Sequence, residues 1–270
     1  MSLKEPCVDA LLPAGGRITG EFRQRAGVEL KALIKFQDVS ILERTIKALR
    51  GVDRVGKIVV VGPRAAHAEA INCVAAVDAL DEADTGSANV LLGLEWLQSQ
   101  QNRADHVLVA ATDMPFITPA SVDGFLNQCP IDKDICVPVV ERIPFERIYP
   151  GLVRTDTHLA DGYFRVGGLY LLDPATLLRN RAHLEEQFAA RKSNLKMARM
   201  AGFSTIVRYI TRRLRTEDIV RRACEILKCT GAVVKDASPE LAFDIDLLDE
   251  YEYALNRFAS GDSGGKETRF

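Results

Sequence analysis

The 270-residue sequence has no apolar run near the roughly 20 residues that a membrane-spanning helix requires. Its first residues, MSLKEP, lack the basic start and apolar core of a secretory signal. It has no C-x-x-C pair. The six cysteines, Cys7, Cys73, Cys129, Cys136, Cys224 and Cys229, are scattered, which argues against a zinc site and for reduced thiols, mainly in the interior. The four histidines, His67, His106, His158 and His183, are isolated, and none is assigned a catalytic role. The only tryptophan, Trp96, lies on the apolar side of a predicted helix and reads as core. A net charge of −2 gives the whole chain no electrostatic case for nucleic acid. Neither G-x-x-x-x-G-K-[ST] nor G-x-G-x-x-G occurs, so a nucleotide site here must be of another kind. There is no internal repeat, and the protein is expected in the cytoplasm.

What is present is an ordinary globular composition, 47% apolar and 27% charged, enough for a sizeable core. Short apolar runs alternate with helical patterns. CVDALLP, KIVVVG, AAVDAL, HVLVAATD, DICVPVV, GGLYLLD and GAVVKD read as strands, most of them apolar throughout, as in sheets covered on both faces. Helix starts lie between them: Ser40 with Glu43 as a capping box, Thr118-Pro119, Asp173-Pro174, Ser87, and Thr216 before Glu217 and Asp218. The alternation predicts an α/β fold with a mostly parallel central sheet flanked by helices, Rossmann-like in construction. Residues 1–258 are expected to form one domain, with a helical basic insertion near 175–228 and a disordered tail at 259–270.

Ligands of open parallel sheets bind at the carboxyl ends of the strands. The first such end is LLPAGGRITGEF, where Gly15 and Gly16 remove Cβ atoms and let backbone N–H groups approach phosphate oxygens. Arg17, Arg23, Arg25, Lys31 and Lys35 add positive charge. The alternative is a tight turn in a solvated basic loop. In HVLVAATDMPF, Asp113 sets a carboxylate at the same edge, a ligand type suited to Mg²⁺. In FDIDLLDEYEYAL, Asp244 and Asp246 alternate around Ile245 and point to opposite sides if extended. Asp246 also suits a helix cap.

In this order, LLPAGGRITGEF, ELKALIKFQDVSILERTIKAL, TDMPF, VGGLYLL and FDIDLLDEYEYAL resemble the nucleotidyltransferase superfamily of GT-A type fold. That superfamily includes the MobA-like guanylyltransferases and the sugar-phosphate nucleotidyltransferases. The resemblance covers nearly the whole chain. It implies that Ala14, Gly15 and Gly16 hold the nucleotide's phosphates and that Gly86 and Asn89, in DTGSAN, meet the base. It implies Lys31 as the phosphate-contacting lysine and Asp113 and Asp246 as ligands of Mg²⁺ or Mn²⁺. Gly167 and Gly168 match the small residues beneath the acceptor. The family usually reads L-A-G-G-x-G-x-R, or a close variant. Here Arg17 stands at a glycine position and Thr19 at the arginine position, so Arg17 or Arg23 would supply the missing charge. Asp38 replaces a frequent glycine. The implied reaction transfers NMP from a nucleoside triphosphate to a small phosphorylated acceptor and releases pyrophosphate. A non-catalytic nucleotide-binding protein of the same fold is the alternative, and a GT-A glycosyltransferase a weaker one.

The segment 190–215 contains Arg191, Lys192, Lys196, Arg199, Arg208, Arg212, Arg213 and Arg215 and no acid. Apolar residues fall between them at helical spacing. It reads as amphipathic helix packed on the domain, with a lid, a peripheral membrane contact or an oligomer contact as sharper alternatives.

Overall fold

The computed structural model describes residues 8–73, 77–101, 103–152, 156–190 and 202–261. The central sheet contains β1 (Val8–Pro13), β4 (Val55–Gly62), β5 (Val77–Asp81), β6 (His106–Ala110), β7 (Ile135–Glu141), β8 (Thr157–Leu159), β9 (Gly162–Val166), β10 (Leu169–Leu172) and β11 (Gly231–Val234). A separate two-stranded ribbon joins β2 (Lys35–Phe36) to β3 (Val39–Ser40). The main order is β5-β4-β1-β6-β10-β7-β9-β8, with β11 also paired to β7. β5, β4, β1 and β6 run parallel, and β11 is parallel to β7. The reversed strand is β10, antiparallel to both β6 and β7. β8 and β9 form an antiparallel hairpin on the far half of β7. All seven apolar runs contribute strands. Residues 75 and 76 of AAVDAL lie outside the described residues.

The period-2 alternation of the strands divides two cores. On one face, Leu12, Val60, Leu108 and Leu171 pack with Ile41, Phe125, Phe243 and Phe258 from flanking segments. On the other, Leu11, Val59 and Val107 pack under Leu94 and Leu97 of the helix Gly86–Ser99. Trp96 packs against this second cluster, as its helix position predicts. Gly93 explains the close approach of that helix: an added Cβ would run into the Leu11 side chain.

Helix starts follow the sequence with two corrections. Ser40 Oγ accepts from Glu43 N–H, Thr118 forms a reciprocal box with Ser121, and Asp173 accepts from Ala175 and Thr176. Thr85, not Ser87, caps Gly86–Ser99 by accepting from Ala88 N–H. Thr216 is the first residue of the helix Thr216–Leu227 rather than its cap. Its N–H and hydroxyl donate to Asp161, while Asp218 reaches back to Arg215 N–H. In both cases several capping side chains stand together, and tertiary contacts choose among them. Within the basic insertion, helices span Pro174–Arg179, Arg181–Ala190, Phe203–Ile210 and Thr216–Leu227. Residues 191–201, with four of the eight basic side chains, and residues 262–270 of the tail lie outside the described residues.

Candidate active site

The glycine loop leaves β1 at Pro13 and is anchored immediately. Ala14 N–H donates to Val61 O, and Lys31 N–H donates to Gly16 O. The loop therefore carries Lys31 beside it, with the lysine's Cδ only 3.7 Å from where a Gly16 Cβ would stand. Gly15 is packed more tightly. A Cβ there would lie 2.8 Å from Glu82 Oε2 and 3.1 Å from Asn89 Nδ2. Gly15 is thus a close approach of backbone to the loop after β5, whereas at Gly16 a Cβ would meet only an ordinary contact with Lys31.

The carboxylates predicted from distant segments meet at Lys31. Its Nζ is ion-paired with Asp246 and lies 3.6 Å from Asp113 Oδ2. The joining contact is backbone: Ile245 N–H donates to Asp113 O at 3.0 Å. Ile245 is fully buried, which turns its two neighbouring aspartates toward the open side. Asp246 does not cap the last helix, Leu248–Ala259. Glu250 does so, accepting from Asp246 N–H at 2.6 Å and Leu247 N–H at 2.9 Å. The Asp246 carboxylate is thereby left to the site.

Burial pushes the Asp113 carboxyl up to about 6. Lys31 pulls it down, and the charges of Asp244 and Asp246 push it up again. Burial also works against the Lys31 charge, but Asp113 and Asp246 outweigh it and hold the ammonium above its ordinary range. Asp113 Oδ1 is buried and has no hydrogen-bond partner among the described residues. An orphaned carboxylate oxygen beside a second carboxylate fits a divalent hard cation that completes its shell with water and phosphate. Among the described residues no three His, Cys, Asp or Glu side chains group into an all-protein metal site. The donor set therefore suits a cation shared with substrate phosphates.

Gly15, Gly16 and Arg17, with Glu82 to Gly86 and Asn89 packed against them, line one part of a cavity of about 800 Å³. Asn89 is buried, and its Oδ1 accepts from Ala83 N–H at 2.6 Å, bracing that loop. Gly86 opens the helix N-terminus, with open space where its Cβ would be. Arg17 joins the two loops, donating to Gly15 O at 3.0 Å and pairing with Glu82 through both terminal nitrogens. Arg17 Nε is also 3.7 Å from Glu29, and Arg23 is 3.1 Å from the same carboxylate. Both arginines predicted to meet phosphate thus rest on acids. Glu82 lies in no quoted motif and Glu29 only opens ELKALIKF, and sequence reasoning selected neither.

Gly167 and Gly168 do not line the cavity. Their smallness has a packing cause: a Gly167 Cβ would sit 2.8 Å from Leu241 O, and a Gly168 Cβ 2.9 Å from Met114 Sδ. Their backbone ties the β9–β10 connection to both flanks, through Gly168 N–H to Leu241 O and Ala111 N–H to Gly168 O. They are the seam that brings Asp113 and residues 241–246 together.

Residues 10–192 match the MobA-like NTP transferase domain. No functionally curated protein matches the chain. Among solved structures, a hypothetical transferase from Thermus thermophilus is similar at 25% identity and a TM-score of 0.78, over 90% of this chain and 99% of that one. A nucleotidyl transferase from Methanothermobacter shares the fold at 19% identity and a TM-score of 0.56, over 94% and 99% of the two chains. So does a 2-C-methyl-D-erythritol 4-phosphate cytidylyltransferase, also from Thermus thermophilus, at 20% identity and a TM-score of 0.54, over 94% and 99%. With the match spanning well over half its length and the fold agreeing throughout, the chain belongs to the MobA-like NTP transferase domain family and is by that membership an enzyme of the nucleotidyltransferase kind.

Proposed function

We propose that this chain transfers NMP from a nucleoside triphosphate to a small phosphorylated acceptor, with release of pyrophosphate, in the cytoplasm. The observation that carries the reading is the meeting of Asp113, Asp246 and Lys31, with Lys31 beside Gly16, which itself lines the cavity. Ala14, Gly15 and Gly16 hold the triphosphate, assisted by the N-terminus of Gly86–Ser99. Gly86 and Asn89 position the base. Asp113 and Asp246 would hold Mg²⁺ or Mn²⁺, which supplies charge neutralisation to the phosphates when bound. Lys31 stabilises charge on the departing pyrophosphate, with Arg17 and Arg23 joining it once phosphate outcompetes their acidic partners. Gly167 and Gly168 keep the acceptor side in register with Asp113. An acceptor oxygen attacks the α-phosphorus in line, and positioning with electrostatics provides most of the acceleration.

Pyrophosphate release over a panel of nucleoside triphosphates, phosphorylated acceptors and either cation tests the reading. Turnover is expected for the wild type and its loss in Asp113→Ala. Stabilisation by nucleotide with no turnover for any acceptor would instead assign a binding protein of the same fold. Within the segment 190–215, the described residues 207–213 support a peripheral contact with anionic lipid. Val207, Tyr209 and Ile210 are exposed together with Arg212 and Arg213. Co-sedimentation with vesicles rich in anionic lipid, lost on Ile210→Asp, is the expected result.

A further inference from the structure

The cavity has two unlike halves. The glycine loop and the Glu82–Asn89 wall are polar. The remainder lies over the same sheet face that the helix Gly86–Ser99 seals elsewhere. There Leu11, Val59 and Val61 are fully buried. Farther along, Val137 and Tyr170 on that face are only half-buried, because none of the described elements closes over them. Leu172, Leu177, Val220 and Leu227 complete the walls. Among the described residues this half has no charged side chain in its lining, and apart from the Tyr170 hydroxyl and the Cys224 thiol they offer no polar side-chain group there. The strands there have committed their backbone groups to the β6–β10–β7–β11 ladders.

A sugar or polyol seated here would bury hydroxyls without partners, at a cost that hydrocarbon does not incur. We propose that the acceptor is amphiphilic: a phosphate monoester whose non-reacting body is apolar and occupies this half of the cavity. The inference rests on the nucleotidyl-transfer reading and narrows its acceptor class. The polar half takes the nucleotide, the apolar half takes the body, and the two phosphates meet near Gly16 and Ala111. A phosphate oxygen of the acceptor bonds to the α-phosphorus, and the bond from that phosphorus to the bridging oxygen of the β-phosphate breaks. The electron pair leaves with pyrophosphate. The product is a mixed diphosphate joining the nucleoside to the apolar alcohol, and no redox partner is needed.

The test is a homologous series of butyl, hexyl, octyl and decyl phosphate, below their aggregation concentrations, compared with glucose 1-phosphate. Binding by calorimetry and pyrophosphate release are both measured on the full chain. Affinity should climb about fourfold per methylene until the apolar half is filled. Ala223→Phe, at the cavity wall on the helix Thr216–Leu227, should end the climb at a shorter chain while nucleotide binding and melting temperature hold. Val137→Asp should flatten the climb altogether. Glucose 1-phosphate turned over as well as decyl phosphate would overturn the inference and leave nucleotidyl transfer standing. Chain-length-dependent binding that Ala223→Phe shortens, without pyrophosphate release, would uphold the apolar site and overturn the reaction. A flat series in the binding assay overturns the inference whatever the turnover.

Discussion

Asp113 is held between opposing demands. Burial raises its carboxyl to about 6 from an ordinary 3.8, against the pull of Lys31. The folded state therefore binds the proton more tightly than the unfolded chain does, and stability falls as pH rises between those two values. Above pH 6 the ion-free protein bears the cost of an ionised, partly buried carboxylate. Asp113→Asn removes it. The variant should be more stable than the wild type at pH 7 to 8, by at most about 3 kcal/mol, and so melt higher, and the gap should close below pH 4. Nucleotidyl transfer by the wild type should fade below about pH 6, where the protonated carboxyl no longer serves a cation. Thermal melts against pH, run without divalent ions, check the first expectation; an unchanged gap across pH 4 to 8 would contradict it. The type of residue at 113 was legible, since a carboxylate after an apolar strand stands at the sheet edge. Its orphaned Oδ1 was not, because that depends on what the surrounding loops leave unpaired.

At the scale of elements, the ribbon β2–β3 turns through Gln37 and Asp38, with φ of 53° and 62°. Both central residues of this two-residue hairpin lie in the left-handed region, where glycine is favoured at the second position. The family's frequent glycine there thus has a conformational cause, and this chain strains Asp38 instead. Asp38→Gly is expected to stabilise the protein by about 0.5–1 kcal/mol with little effect on turnover, read from denaturant midpoints. The ribbon itself was not predicted, since two residues per strand carry no periodicity. The hairpin β8–β9 escaped for a related reason. Thr157–Leu159 is short and mixed, and its setting is fixed by Arg165, which pairs with Asp156 and lies over the Phe145 ring. Nor does any feature of GGLYLLD distinguish an antiparallel strand from a parallel one. β10 is reversed because the β8–β9 excursion returns the chain from the opposite end of β7.

Across the whole molecule, the last fifty residues complete both the core and the site. Phe243, Ile245, Tyr251, Ala254 and Phe258 belong to the larger core cluster, with Phe243 edge-on to Phe116 at 4.8 Å between ring centres. The same segment delivers Asp246. A chain ended after Ala237 should lose cooperative unfolding as well as activity, because several large side chains of that core leave with it. Circular dichroism melts of the truncated chain decide this, and a sharp native-like transition would show the segment to be an appendage. The match to the MobA-like domain ends at residue 192, and the Asp246 carboxylate from beyond it pairs with Lys31 from within it.

The sequence by itself determined the seven strands of the apolar runs, most helix starts and the residue types at the strand ends. Each of these depends on local backbone sterics or on the period of apolar side chains, and both act over a few residues. The tertiary structure alone decided that Lys31, Asp113 and Asp246 meet, that Arg17 and Arg23 rest on Glu82 and Glu29, and that one half of the cavity is apolar. Those facts arise from contacts between segments up to 215 residues apart, where burial of Ile245 and one backbone hydrogen bond to Asp113 fix the geometry.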